Sequence, residues 1–237
     1  AIVDGQPTIG KGDPALLSTA YKLLGSNPEF SAFREQITIL PVWDDHDFGE
    51  NDAGATYAHK ADSESQFLEF WNINADDPRR ARPGIYTSSI QGPVGERVQI
   101  IMLDTRYFRS DLVKNTDGEP GTQHLNLPSE DPSTTVLGDA QWAWLAEELK
   151  KEADVRLIVS SIQVHAEGHG YERWGNFPHE RSRLYDLIAE TRANGVIFLS
   201  GDRHSGALYV KRSEDGYPLF EMTSSSLNRP YPNPDET

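Results

Sequence analysis

The sequence predicts an α/β fold from three observations. Short apolar runs of strand length occur at residues 37–43, 98–103 and 155–159. Segments with apolar residues at helical spacing separate these runs. Gly- and Pro-rich polar segments mark the connections, and the longest of them is a predicted surface loop at residues 115–135. Alternation of helices with strands is typical of the α/β class.

Each element follows from its local pattern. Asp13 and Pro14 precede residues 15–24 as an N-cap and a proline at the first helical position, which predicts a helix there. Helical spacing predicts further helices at residues 30–35, 64–71, 138–153 and 181–193. Strands are predicted at residues 37–43, 84–90, 97–103, 155–161, 196–200, 207–211 and 219–223. Because no linker separates two parts, we expect one domain over residues 1–237.

The composition is typical of a globular protein, and it argues against several classes of partner and site. The 237 residues include 37 acidic and 22 basic side chains, and the formal charge is −15. Duplex nucleic acid is disfavoured as a partner, because its phosphates attract clustered Lys and Arg. No apolar run approaches the roughly 18 residues that a membrane span needs. The absence of cysteine excludes disulfides, zinc–thiolate sites and cysteine nucleophiles.

Two clusters of Asp and His each follow a predicted buried strand. Asp-Asp-His-Asp at residues 44–47 follows the first apolar run, and Asp202 and His204 follow the strand predicted at 196–200. Ligands of open α/β sheets bind beyond the carboxyl ends of strands, so we expect the clusters to converge. Asp oxygens and His nitrogens suit Zn, Fe, Mn or Ca, depending on ligand ratio and geometry.

Each cluster has a simpler explanation when it is taken alone. An Asp-Asp pair after a strand is commonly a turn or a helix cap, and a single histidine is commonly a hydrogen-bonded surface residue. The three carboxylates around His46 repel one another unless cations neutralise them, which favours a metal site. A serine-nucleophile hydrolase is a third alternative, but Ser160 and Ser161 lack the surrounding Gly-x-Ser-x-Gly pattern.

Six short blocks stand in order along most of the chain. They are Trp-Asp-Asp-His-Asp-Phe-Gly at 43–49 with Asn-Asp-Ala-Gly at 51–54, Leu-Asp-Thr-Arg-Tyr at 103–107, Ser-Ile-Gln at 161–163, His-Gly at 169–170 with Trp-Gly-Asn-Phe-Pro at 174–178, Ser-Gly-Asp-Arg-His-Ser at 200–205, and Thr-Ser-Ser at 223–225. With these blocks the chain resembles the PhoD-like alkaline phosphatases and phosphodiesterases of the calcineurin-like metallophosphoesterase superfamily.

The resemblance implies a fold and a reaction. The fold would be two mixed β-sheets packed as a sandwich with helices outside, a four-layer α/β/β/α arrangement. The reaction would be hydrolysis of a small phosphoric monoester or diester by a metal-activated water that attacks phosphorus. Two or more metal ions would be the cofactors, with Ca, Fe, Zn and Mn all open. Asp in place of Asn or His makes Ca or Fe more plausible. The location implied by the family is periplasmic or secreted.

The resemblance also assigns roles to residues. Metal-binding positions fall to Asp45, Asp202 and His204. His46 takes the position that contacts the phosphate and protonates the leaving group, and Asp47 would orient it.

Three further residues are substrate-binding candidates, namely Arg106, His169 and Arg203. A guanidinium offers a bidentate fork to phosphate, but for both arginines a structural ion pair is an equal alternative. The role of His169 stays open.

The family pattern extends beyond both ends of this chain. Two superfamily motifs, including a Gly-Asp whose Asp bridges the metals, would lie before Ala1, and the final strands would follow Asn228. No signal peptide is visible, and the chain starts at Ala1 without a methionine, so we expect a processed or missing N-terminus. We therefore expect a catalytic domain that is incomplete at both ends. A phospholipase D-like phosphodiesterase is one alternative, and a non-catalytic metal-stabilised fragment is another.

Overall fold

The computed structural model describes residues 12–117, 125–212, 217–226 and 230, and only the backbone of residues 2–3 and 6–7. Within this part of the chain the helices are α1 Pro14–Gly25, α2 Pro28–Gln36, α3 Asp45–Phe48, α4 Lys60–Phe70, α5 Gly138–Leu149 and α6 Pro178–Glu190. The strands are β1 Ile2–Val3, β2 Gln6–Pro7, β3 Thr87–Gln91, β4 Val98–Met102, β5 Val113–Lys114, β6 Asn126–Leu127, β7 Val155–Val159, β8 Val196–Ser200, β9 Gly206–Lys211 and β10 Leu219–Ser224. No helix described here has the length and apolar content to cross a membrane.

Six strands form one mixed sheet in the order β3-β4-β7-β8-β10-β9. The four inner strands run parallel, and each edge strand is antiparallel to its neighbour. Two short antiparallel ladders, β1–β2 and β5–β6, stand apart from it. Because the four parallel strands point the same way, their carboxyl ends meet at one edge of the sheet, where loops can build a site.

Helices α5 and α6 cover one face of this sheet. Ile101, Ile158 and Phe198 from successive inner strands are fully buried against Leu145 of α5 and Leu184 of α6. Burying each such side chain contributes about 1.5–3 kcal/mol. This layer fixes the strands and therefore the positions of the loops that follow them.

The opposite face of the sheet is apolar and open in the described part of the chain. Its exposed side chains include Leu208, Val210, Phe220 and Met222, of which Leu208 is 71% exposed. The α/β class, the mixed sheet and the outer helices predicted from the sequence are confirmed. Of the expected sandwich, the described residues supply the six-stranded sheet and the two small ladders.

A second, smaller core supports the first Asp/His cluster. Trp43, Phe48, Phe67 and Ile85 are fully buried together, with Phe67 coming from α4. The Trp43 ring meets Phe48 edge-on at 5.0 Å between ring centroids. These two aromatic residues flank residues 44–47, so the cluster is anchored at both ends.

Most predicted elements are confirmed, with shifted ends. Asp13 Oδ1 accepts a 2.8 Å hydrogen bond from the Ala15 amide, as an N-cap should. Helix α6 begins at Pro178 rather than at residue 181, because proline suits the first helical position. The loop predicted at 115–135 contains strand β6, which pairs with β5 just before the loop, and its residues 118–124 lie outside the described residues.

The strand predicted at residues 37–43 is wrong. This segment has no ladder partner among the described residues, and both Ile37 and Leu40 are 46% exposed. A strand needs a neighbour to satisfy its backbone N–H and C=O groups, and apolar composition alone does not provide one.

Candidate metal centre and active site

Loops after the parallel strands meet helix α3 around an open cleft of about 640 Å³. The cleft is lined by Asp44, Asp45, His46, Asp47, Asn51, Asp52, Tyr171, Glu172, Asp202, Arg203, His204 and Ser225. The two Asp/His clusters predicted to converge are therefore brought together. Half of the lining residues are acidic, which is unusual for a cleft that would receive phosphate unless cations are also bound there.

Three carboxylates stand closest together in this cleft. One oxygen each from Asp44, Asp45 and Asp202 lies within 4.8 Å of the others. Backbone amides hold Asp45, since its Oδ1 accepts from His46 N at 2.7 Å and its Oδ2 accepts from Asp52 N at 3.2 Å. Asp45 and Asp202 were predicted as ligands, and Asp44 was missed although it lies in the same acidic run.

His204 lines the same cleft but is not a member of this close group. Its backbone and that of Asp202 have positive φ angles, 54° and 64°. Non-glycine residues adopt this left-handed region at some cost in energy. The His204 amide donates to Ser225 Oγ at 3.2 Å, which ties the loop after β8 to the end of β10.

The cluster of three carboxylates has too little positive charge near it to balance its own negative charge. Burial raises the pKa of Asp44, and the charge of Asp45 raises it further, while Arg106 lowers it. Burial and then the charges of Asp44 and Glu172 raise the pKa of Asp202 well above its usual value. A bound cation would relieve both effects, and an all-oxygen donor set suits a hard cation such as Ca²⁺. The residues present therefore fit a metal centre.

Arg106 is fully buried behind the carboxylates. Its Nε donates to Asp44 Oδ1 at 2.8 Å, its Nη2 also contacts that oxygen, and its Nη1 lies 2.5 Å from Glu172 Oε2. Burial would lower the pKa of this guanidinium, but the charges of Asp44 and Glu172 outweigh burial and raise it. Of the two alternatives left open by the sequence, this geometry favours the structural ion pair over a phosphate clamp.

Glu172 and Arg109 extend the ion pair into a buried array. Glu172 Oε1 lies 2.8 Å from Arg109 Nε, and the two side chains are 1% and 0% exposed. Arg109 Nη2 also donates to the carbonyls of Asp52, at 2.5 Å, and Ala53, at 2.8 Å. Burial raises the pKa of Glu172, and the two arginines lower it. The array connects three segments that are far apart in sequence.

His46 and Asp47 lie on α3, and both face the cleft. The His46 side chain is 44% exposed, and its Nε2 lies 3.9 Å from Asp45 Oδ2. Asp47 Oδ1 accepts a 2.7 Å hydrogen bond from the Asp44 amide and so closes the first turn of the helix. Burial raises the pKa of Asp47 to about 7. Asp47 thus contacts the backbone, and Asp45 is the carboxylate beside the His46 ring.

Arg203 lies at the rim of the cleft. Its guanidinium carbon lies 4.2 Å from the centre of the Tyr171 ring, a cation–π contact that orients the side chain. Arg203 lines the cleft, as a phosphate-binding residue must. Tyr171 was missed from the sequence, because a tyrosine in a Gly-rich loop has no pattern that marks it.

His169 is buried and is not among the residues that line the cleft. It is 4% exposed, its Nε2 is 2.7 Å from Gln163 Oε1, and its Nδ1 accepts from the Tyr171 amide at 3.2 Å. Gln163 in turn donates to Thr223 Oγ1 at 2.9 Å. Both ring nitrogens are engaged within the protein, so a substrate contact would require one of these bonds to break.

Asp104 of the second family block supports the site without lining it. It is fully buried, and its Oδ1 accepts from Trp43 Nε1 and from the Arg106 and Tyr107 amides, each at 2.9 Å. Its Oδ2 accepts from the Ile85 amide at 2.9 Å. This carboxylate fixes the turn that carries Arg106 and the Trp43 ring beside residues 44–47.

The chain is similar to known phosphatases. The family model of the PhoD-like phosphatases matches residues 18–237. Alkaline phosphatase D from Bacillus subtilis (strain 168) is 25% identical over 224 residues, covering 85% of this chain and 36% of that protein. A solved structure of PhoD is similar in fold, with a TM-score of 0.63 and 20% identity over 78% of this chain and 39% of that chain. This chain therefore spans well under half the length of either relative.

Proposed function

The chain belongs to the PhoD-like phosphatase family, and we propose that it carries the metal centre of a phosphoric ester hydrolase. The observation that carries this proposal is the convergence of Asp44, Asp45 and Asp202 within 4.8 Å, in a cleft that His46 also lines. Like charges crowded at such a distance are costly, and a function that needs a cation accounts for them.

The three carboxylates would hold the ions, and His204, which lines the same cleft, would add a nitrogen ligand. Metal ions bound there would supply a Lewis acid for phosphoryl oxygens and lower the pKa of a water molecule. The oxygen-rich donor set favours Ca or Fe over Zn, although Zn and Mn also accept such ligands. We expect two or more ions.

The chain's own residues would orient the ester and move the proton. His46 is exposed to the cleft, so its imidazole can reach a leaving-group oxygen and donate a proton to it. Positioned general acids contribute typically about 100- to 10,000-fold in rate. Asp47 fixes the helix turn that presents His46, and the Arg203 guanidinium can bind a phosphoryl oxygen.

The substrate class is a small phosphoric monoester or diester, of the phosphatase or the phospholipase D-like type. We infer an exported protein on the family resemblance alone. We further infer one catalytic domain over residues 1–237 whose second sheet packs on the open apolar face. A cavity of about 540 Å³ supports this inference, because it joins Asp44 and Asp202 to Leu199 and Met222 of that face.

The test compares two esters with different leaving groups. His46→Ala, in the longest natural form of the protein with its metals retained, should slow hydrolysis of an alkyl phosphate ester far more than that of a nitrophenyl ester. A nitrophenolate leaves without a proton, so it needs little help from a general acid. Each leaving group is assayed as a monoester and as a diester, which assigns the substrate class.

A matched control is available. His59 is 51% exposed and lies 3.3 Å from Asp62, much as His46 lies beside Asp45, but it is outside the acidic cleft. His59→Ala should leave both rates unchanged. Equal losses for the alkyl and nitrophenyl esters in His46→Ala, with unchanged metal content, would remove His46 from the acid role. Metal binding without hydrolysis of any ester would instead favour a non-catalytic metal-stabilised protein.

A further inference from the structure

We propose that Glu172 is a positioning residue, which holds two of the three carboxylates of the metal centre in place through two arginines. The inference rests on the proposed metal centre and assigns a role to a residue that no motif marks. Glu172 comes from the loop between β7 and α6, while the carboxylates it would position come from residues 44 and 45.

The first arm runs through Arg106. Glu172 Oε2 lies 2.5 Å from Arg106 Nη1, and the opposite edge of the same guanidinium donates from Nε to Asp44 Oδ1 at 2.8 Å. Arg106 is 0% exposed, so water cannot replace either partner. The guanidinium thus lies between two carboxylates, with an ion pair to Glu172 on one side and hydrogen bonds to Asp44 on the other. Loss of Glu172 therefore frees Arg106 to turn and to carry Asp44 with it.

The second arm runs through Arg109 to Asp45. Glu172 Oε1 lies 2.8 Å from Arg109 Nε, and Arg109 Nη2 donates to the carbonyls of Asp52 and Ala53. The amide of that same Asp52 donates to Asp45 Oδ2 at 3.2 Å. The position of Asp45 thus depends on a backbone segment that Arg109 holds.

Charge acts in the same direction as geometry. Asp44, Arg106, Glu172 and Arg109 alternate in sign, and the last three are at most 1% exposed on their side chains. Removing the charge of Glu172 leaves two buried guanidiniums beside the cation site, where they repel an incoming cation. Weaker cation binding is expected from both causes. Glu172→Asp separates them, since it keeps the charge but shortens the side chain.

A purely structural role is the alternative, and Glu180 provides the matched control. Glu180 is another buried carboxylate, whose Oε2 accepts from Trp142 Nε1 at 2.7 Å and from the Val136 amide at 2.8 Å. It lies on α6 and does not line the cleft. Glu180→Gln should therefore cost stability without changing cation binding.

The experiment titrates the folded, metal-stripped protein with Ca²⁺, and in a parallel series with Mn²⁺, by calorimetry. We expect Glu172→Gln and Glu172→Asp to weaken binding by about 10- to 100-fold, the range seen when groups behind metal ligands are lost. Glu180→Gln should bind within about twofold of the parent, while both Gln variants melt at lower temperature. Excess Ca²⁺ should restore the occupancy of Glu172→Gln.

Parent-like cation affinity in Glu172→Gln overturns the proposal, as does an equal loss in Glu180→Gln or a parent that binds neither ion. Arg109→Lys is the second variant if Glu172→Gln does not fold. It keeps the charge but cannot contact Glu172 and the two carbonyls together, so it should weaken binding several-fold, and an unchanged affinity overturns the proposal. Because binding is measured directly, the result holds even if the protein hydrolyses no ester.

Discussion

Two aspartates follow parallel strands at the same edge of the sheet and have opposite surroundings. Asp104 lies two residues beyond β4, and four N–H donors at 2.9 Å surround its carboxylate. Asp202 lies two residues beyond β8, and its neighbours are the carboxylates of Asp44 and Asp45. Both aspartates have the same position relative to the strand before them, but different groups surround their carboxylates.

The difference separates a carboxylate that holds the protein together from one that is available to a ligand. An aspartate surrounded by the protein's own donors is stabilised as an anion without outside help. An aspartate surrounded by other aspartates is destabilised, as the raised pKa of Asp202 indicates. The comparison predicts opposite outcomes when each is neutralised.

The largest effect is expected for Asp202→Asn. Hydrolysis should fall about 1,000-fold, because a metal ligand stabilises several kcal/mol of transition-state charge. The melting temperature in the presence of a chelator should stay the same or rise, because the repulsion between Asp202 and the neighbouring carboxylates is gone. Steady-state kinetics and thermal melting of the stripped protein measure the two effects. A large drop in melting temperature would show that Asp202 stabilises the fold as Asp104 does, and would contradict the comparison.

Asp104→Asn should have the reverse profile. The amide nitrogen would face N–H groups, so at least one buried donor loses its acceptor and the unfolding free energy should fall by about 3 kcal/mol. Urea unfolding measures this loss. Cation affinity of the fraction that remains folded should change less than in Asp202→Asn, and a larger change would mean that the turn after β4 belongs to the site.

Gly54→Ala probes the contact between the segment of residues 52–54 and Arg109. A Cβ at position 54 would lie 2.4 Å from the Arg109 carbonyl, so the segment that carries the Asp52 amide must shift. We expect a loss of about 2 kcal/mol in stability, typical of overpacking. Gly206→Ala is the control, because the nearest atom to its Cβ is 4.0 Å away. Equal stability of the two variants would show that the segment can shift without a cost in stability.

The last prediction concerns His165, a buried base whose ring packs against Tyr185 and Phe198. Burial lowers its pKa to about 4, and its Nδ1 is 2.8 Å from the Tyr185 hydroxyl. Because the folded state binds the proton more weakly, stability is full above pH about 6.5 and declines toward pH 4, by about 2 kcal/mol after allowance for partial solvation.

His165→Gln should remove that part of the pH dependence. Burial raises the pKa of the neighbouring Glu221, which contributes with the opposite sign. The difference between parent and variant isolates His165, and its measure is the urea midpoint from pH 7 to 4. Parallel curves would contradict the prediction.

The sequence predicted the strand-end clusters and the helix–strand order, since both depend on local patterns. It could not predict the strand at 37–43 correctly, because a strand depends on a partner elsewhere in the chain. Arg106 illustrates the same limit within the site. An arginine can bind phosphate as well as a carboxylate of the protein, and only the carboxylates on both sides of Arg106 indicate an ion pair. Glu172 carried no signal in a single sequence, since its role exists only through contacts with residues 106 and 109.

The left-handed backbone at Asp202 and His204 has a consequence for the evolution of the protein. Glycine would relieve the conformational cost at either position, of order 1–3 kcal/mol. Random mutagenesis screened for heat resistance alone should therefore enrich glycine at 202 and 204. The resulting proteins would be more stable but would lack these two side chains of the metal centre. A library screened for turnover would retain both side chains and the less stable backbone that presents them.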